Sequence, residues 1–166
     1  MTAYFFDSSA LVKRYNFEPG SSWVRALCDP RTHPPLYVAQ LAQVEVTAAL
    51  RRTGRHNGLH PSFVASLIAR FERHLVLSDP AHPHPIYRMV PLAPSVLDLA
   101  TLLCNRHWLD TPVPLRSLDA IQLAAALLVA RVITEELIFV TADVRLSATA
   151  PMENLRTINP LYPPQP

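Results

Sequence analysis

The runs Tyr4-Phe5-Phe6 and Ile138-Phe139-Val140 are apolar at every position. An aspartate follows each, Asp7 directly and Asp143 after Thr141-Ala142. A strand with one wet face alternates polar and apolar residues; a strand without alternation is buried on both faces, which calls for a parallel sheet covered by helices. The rest of the 166-residue chain has the matching alternation. Strands are expected at Ala3–Phe6, Leu36–Ala39, Ile86–Val90 and Leu137–Val140, with an edge strand at Leu155–Ile158. Between them lie a turn entering a helix at Ser8–Arg14 and helical patterns at Ser22–Cys28, Leu41–Thr53, Ser62–His74 and Ser95 to about His107. An Ala/Leu-rich helix opens at Ser117, and a short one spans Asp143–Ala148. Gly54 is read as the stop of the third of these helices, Pro61 as the first turn of the next, and Glu18-Pro19-Gly20-Ser21-Ser22 as a breaker with an N-cap. Ser78–Pro85 and Thr111–Pro114 read as proline-rich loops. No linker divides the chain, so residues 1–160 are expected to form one domain, with 161–166 a disordered proline-rich tail.

Ligands in open parallel sheets bind outside the carboxyl ends of the strands. Asp7 and Asp143 fall at such ends, and Asp119 in the first turn of a helix that starts on the same edge. Glu45 shares a helical face with Leu41, Ala48 and Ala49, where the core should be. Each aspartate alone has a structural explanation: a turn for Asp7, helix-dipole complementation for Asp119, an N-cap for Asp143. Together the four acids favour a cation, because gathered carboxylates are not buried without a partner. A hard divalent ion with oxygen ligands, Mg²⁺ or Mn²⁺, suits them, and its natural substrate is phosphate.

Composition excludes more than it assigns. A hydrophobic fraction of 49% with 17% charged residues describes a globular chain, not a disordered one. The net charge of +2 is uninformative, but Lys13 is the sole lysine, and an arginine bias suits phosphate recognition as well as it suits base composition. Arg51, Arg52, Arg55 and His56 form a basic helix end that is either solvated or phosphate-binding. Cys28 and Cys104 have no metal-type spacing, no signal-peptide pattern opens the chain, and the Leu118–Ile133 segment is too short and too polar for a membrane span. A cytoplasmic location without membrane association is therefore expected. His82 and His84 have an H-x-H spacing in a proline-rich loop without acidic company, a weak metal signal. Three glycines supply neither a P-loop nor a dinucleotide fingerprint, and no serine sits in a G-x-S-x-G elbow.

The segments Phe6-Asp7-Ser8-Ser9-Ala10-Leu11-Val12-Lys13-Arg14-Tyr15, the Glu45 helix, Leu115-Arg116-Ser117-Leu118-Asp119-Ala120-Ile121-Gln122-Leu123 and Phe139-Val140-Thr141-Ala142-Asp143-Val144-Arg145-Leu146 resemble, in this order, the PIN-domain family. Within it they are most similar to VapC-type toxins of bacterial toxin–antitoxin modules. The resemblance implies a three-layer α/β/α sandwich with a central parallel sheet and a Mg²⁺- or Mn²⁺-dependent endoribonuclease site. Asp7, Glu45, Asp119 and Asp143 take the positions of the acidic quartet, with Asp7 and Asp119 as direct ligands and the other two through water. Ser9 and Thr141 match neighbouring hydroxyl positions that orient water or substrate. Gln122 stands where the family often has His and is expected to lie outside the quartet. An antitoxin partner, a homodimer and an RNA substrate are implied as well. Two other classes fit less well: a phosphatase or phospho-acceptor domain, the first wanting Asp-x-Asp where the chain has Asp7-Ser8-Ser9 and the second a Lys where it has Thr141-Ala142-Asp143, and a PIN-like module that binds RNA or protein without catalysis.

Overall fold

Five short strands run in one direction in the computed structural model, which describes residues 2–29, 34–76, 86–108 and 114–164. They are β1 (Thr2–Phe6), β2 (Leu36–Ala39), β3 (Arg88–Val90), β4 (Glu136–Val140) and β5 (Thr157–Ile158), in the order β3-β2-β1-β4-β5. Every pairing is parallel. The helices are α1 (Ser8–Leu11), α2 (Ser21–Leu27), α3 (Ala42–His56), α4 (Pro61–Leu75), α5 (Pro94–Arg106), α6 (Ser117–Val132) and α7 (Val144–Thr149).

The lack of alternation in β1 and β4 becomes two cores. Phe5 and Phe139 pair in register, with ring centroids 5.8 Å apart, and face α5 and α6. Phe6, Ile138 and Val140 face the other way, onto α1 to α4. This is the expected three-layer α/β/α sandwich. Among the described residues no helix is long and apolar enough to cross a membrane.

The chain first builds outward from β1 through β2 to β3, then returns through α5 and α6 to place β4 on the other side of β1. The strand order therefore reverses between β1 and β4, and the crevice above their carboxyl ends is where such a sheet binds its ligand. Phe6 pairs with Val140, so both strands end level, and the Asp7 amide donates to the Val140 carbonyl at 3.1 Å.

Several local expectations are corrected. Helix α3 runs through Gly54 to His56; Gly54 is buried, and a Cβ there would lie 2.4 Å from Val64 Cγ2. This glycine serves the close approach of α3 to α4, not a helix stop. Helix α2 starts at Ser21 and is capped by Gly20 at φ 86°, while the Ser21 hydroxyl donates to the Asn16 carbonyl at 2.9 Å. A Cβ on Gly20 would lie 2.6 Å from the Pro160 carbonyl oxygen, so only glycine permits this contact. Strands β3 and β5 are shorter than expected, as befits sheet edges. The segment after β5 opens on a turn in which Asn159 Oδ1 accepts from the Leu161 amide at 2.9 Å. The Ser78–Pro85 loop (apart from Ile86 onward), His82 and His84 lie outside the described residues, as does most of Thr111–Pro114.

Candidate active site

Asp7 is only 3% exposed, yet it carries a carboxylate into the crevice between β1 and β4. Three hydrogen bonds hold it. Its Oδ1 accepts from Ser9 Oγ at 2.7 Å and from the Ala10 amide at 2.9 Å, which also caps α1, and its Oδ2 accepts from Thr141 Oγ1 at 2.8 Å. Burial pushes its pKa up to about 6; the three hydrogen bonds pull it back, and the charge of Asp143 pushes it further up. A carboxylate held part-way to neutrality by burial is characteristic of functional sites.

Ser9 and Thr141 commit their hydroxyl hydrogens to Asp7 and use their oxygens to fix the loop after β4. Ser9 Oγ accepts from the Ala142 amide at 2.9 Å, and Thr141 Oγ1 accepts from the Asp143 amide at 3.0 Å. Asp143 in turn caps α7, its Oδ1 accepting from the amides of Arg145 at 2.7 Å and Leu146 at 3.1 Å. The structural reading of Asp143 as a cap is thus real, and Asp7, expected only in a turn, is a cap as well. Both caps coexist with the site instead of replacing it.

Asp119 differs only in part: its carboxylate accepts from the backbone N–H of Arg116, the N-cap residue of α6. It lies half-buried in the first turn of α6, and its Oδ2 is buried without a hydrogen-bond partner. Burial raises its pKa, the charge of Asp143 raises it further, and Arg116 and Arg145 act in the opposite direction. Asp143 is therefore an electrostatic neighbour of both other aspartates, in a loose group at the carboxyl edge that does not converge on one point.

Glu45 stands to one side of that group. The buried stripe of α3 is Ala42, Val46, Leu50 and Gly54, so Glu45 lies on its rim and does not point into the core as its apolar neighbours suggested. Its Oε2 accepts from Ser8 Oγ at 2.6 Å and from Gln122 Nε2 at 2.6 Å. Gln122 Nε2 also donates to Ser8 Oγ at 2.8 Å. Gln122 is not one of the four acids, but it touches one of them directly. The signal was a single long polar residue inside an Ala/Leu-rich face, one turn after Asp119. Ser8 was missed too, having been read only as the start of a turn.

The donor chemistry suits a hard divalent cation: the groups are all oxygen, and one buried acceptor on Asp119 is left unpaired. The geometry does not itself form a cage. Among the described residues no three His, Cys, Asp or Glu side chains are placed to hold one metal ion together.

No protein-family model matches the chain, and no curated protein matches it. Solved structures do. FitAcB from Neisseria gonorrhoeae is similar over 96% of this chain and 99% of that one, at 14% identity and a TM-score of 0.65. VapBC2 from Rickettsia felis, bound to a promoter DNA fragment, matches over 96% and 98%, at 12% identity and a TM-score of 0.60. VapC20 of Mycobacterium tuberculosis, described as a sarcin-ricin loop cleaving toxin, matches over 89% and 95%, at 18% identity and a TM-score of 0.59. The class is thereby defined: the chain has the PIN-domain fold. Within that class its architecture is similar to these VapC-type proteins along nearly its whole length.

Proposed function

We propose that this protein is a Mg²⁺- or Mn²⁺-dependent endoribonuclease acting as the toxin of a toxin–antitoxin pair. The observation that carries the reading is Asp7, an ionisable group buried at the switch point and hydrogen-bonded three times, on the same edge of the sheet as strand-end Asp143. The RNA-cleaving description of VapC20 supports the choice of substrate. In this reading Asp7 and Asp119 hold the metal directly, and Asp143 and Glu45 act through water. When bound, the metal supplies Lewis-acid chemistry, polarising a phosphate oxygen and acidifying water at neutral pH.

The chain's own contribution is placement. Ser9 and Thr141 fix both oxygens of Asp7 and so aim the carboxylate from a rigid sheet edge. Asp143, with its backbone tied to Thr141, adds negative charge that raises the attraction of Asp7 for any positive partner, a divalent ion most of all. In this reading Arg145 and Arg116, whose charges act on Asp119, would meet the phosphates flanking the scissile bond. A homodimer, a cognate antitoxin that holds the toxin inactive, and a cytoplasmic place of action complete the proposal.

A second reading has one observation in its favour. Because three acids do not converge, the aspartates could serve only as caps and ties in a module that binds RNA or protein without cutting it. A single assay separates the two. Purified protein should cleave structured RNA with Mn²⁺, leave 5′-phosphate and 3′-hydroxyl ends, and stop with EDTA or with Asp7→Asn. Binding of RNA without any cleavage would establish the non-catalytic module, and cleavage undiminished by EDTA would remove the metal.

A further inference from the structure

We propose that Gln122 is a positioning residue that fixes the Glu45 carboxylate for work on the substrate phosphate; this rests on the nuclease reading above. Gln122 projects from α6, which packs on one face of the sheet, and Glu45 from α3, which packs on the other. Above the carboxyl edge the two meet. Gln122 Nε2 donates to Glu45 Oε2 at 2.6 Å and to Ser8 Oγ at 2.8 Å, while Ser8 Oγ donates to the same Glu45 oxygen at 2.6 Å. The triangle uses the amide as donor to both oxygens and the hydroxyl hydrogen to close the third side. Turning the amide over would set a carbonyl oxygen against a carboxylate oxygen, so the network has one satisfied arrangement. A long, partly buried glutamate thereby loses rotamer freedom.

A second observation separates this role from packing. Gln122 is 2% exposed, and its Oε1 is buried without a hydrogen-bond partner. Around it Ala120, Leu123, Ala124, Ala125 and Ala126 are all buried and apolar. Leucine would fill this position at similar volume without an orphaned acceptor, and unpaired buried polar groups are destabilising. A glutamine kept where leucine would suit the fold better marks a residue held for the site.

The test is Gln122→Leu, followed in stability, metal binding and cleavage. A positioning role predicts a Tm equal to or above that of the wild type, with Mn²⁺ affinity and kcat for RNA cleavage each lower by roughly 10–100-fold, the range for groups that orient metal-site residues, and KM for RNA little changed. Gln122→His, which returns a ring N–H toward Glu45, should recover most of the loss, and Ser8→Ala should fail in the same direction as Gln122→Leu. A lower Tm with unaltered cleavage would show a purely structural role and overturn the proposal. Since the nuclease reading can fail by itself, the Glu45 side-chain carboxyl is also followed by ¹³C NMR without metal or RNA. Its resonance should move and broaden in Gln122→Leu. An unchanged resonance overturns the positioning role whatever the protein's activity, whereas a changed resonance in a protein that cuts no RNA would fault the nuclease reading alone.

Discussion

Thr141 Oγ1 donates to Asp7 Oδ2 at 2.8 Å, joining the end of β4 to the end of β1 through one fully buried hydroxyl. The same oxygen accepts from the Asp143 amide at 3.0 Å, so one atom sets the spacing of two of the proposed ligands.

Thr141→Val should therefore do more harm than its size suggests. It leaves a buried carboxylate oxygen and a backbone amide unpaired, at a cost of about 1–3 kcal/mol for each buried unsatisfied group. It also removes a hydrogen bond that holds the Asp7 pKa down, so the acid limb of the pH–rate profile should move to higher pH. Denaturant unfolding and a pH–rate series check both effects; an unmoved limb would mean that Asp7 is not the titrating group.

Asp7 also gives stability a pH dependence of definite sign. Its folded pKa, about 6, lies above the ordinary aspartate value of about 3.9, so between these values the folded state holds the proton and the unfolded state does not. The metal-free protein is then stabilised by this group at low pH and loses that contribution as pH rises from about 4 through about 6, by an order of 3 kcal/mol at about 1.4 kcal/mol per pKa unit. Asp7→Asn should flatten the slope in that window. Chemical denaturation of both proteins in EDTA from pH 4 to 7 is the check, and equal slopes would contradict it.

Gly54 gives a prediction in which two effects compete. Gly54→Ala gains about 1 kcal/mol of helix propensity but drives a methyl to within 2.4 Å of Val64 Cγ2. Overpacking of this kind costs about 1–3 kcal/mol, so the net effect should be loss of stability. Adding Val64→Ala should return most of it. A stabilised single mutant would mean that α3 and α4 part without penalty.

The central strands and the switch point were legible because burial on both faces leaves an unmistakable apolar run, as in Tyr4–Phe6 and Ile138–Val140. The sheet edges were less so, since Arg88–Val90 and Thr157–Ile158 are held by one neighbour each and their ends carry no pattern. Gly54 was misread because a glycine that stops a helix and one that lets two helices touch look alike in a single chain. The aspartates could be located at one edge from strand ends alone. The Glu45–Gln122–Ser8 triangle could not, because it joins residues from both faces of the sheet and no spacing along the chain encodes such a meeting.

The claim that the three aspartates form one metal-holding site is tested most directly by thermal melts of the wild type and Asp119→Asn, each in EDTA and in Mn²⁺. The substitution keeps size and removes like charge next to Asp143, so the metal-free mutant should melt no lower than the wild type, apart from a helix-dipole loss of about 0.3–1 kcal/mol. A ligand that binds only the folded state stabilises it by about 2.7 kcal/mol at a hundredfold excess over Kd. The wild type should therefore melt higher in Mn²⁺, and Asp119→Asn should respond far less. If both proteins rise equally, Asp119 holds no metal and the site proposed here is wrong.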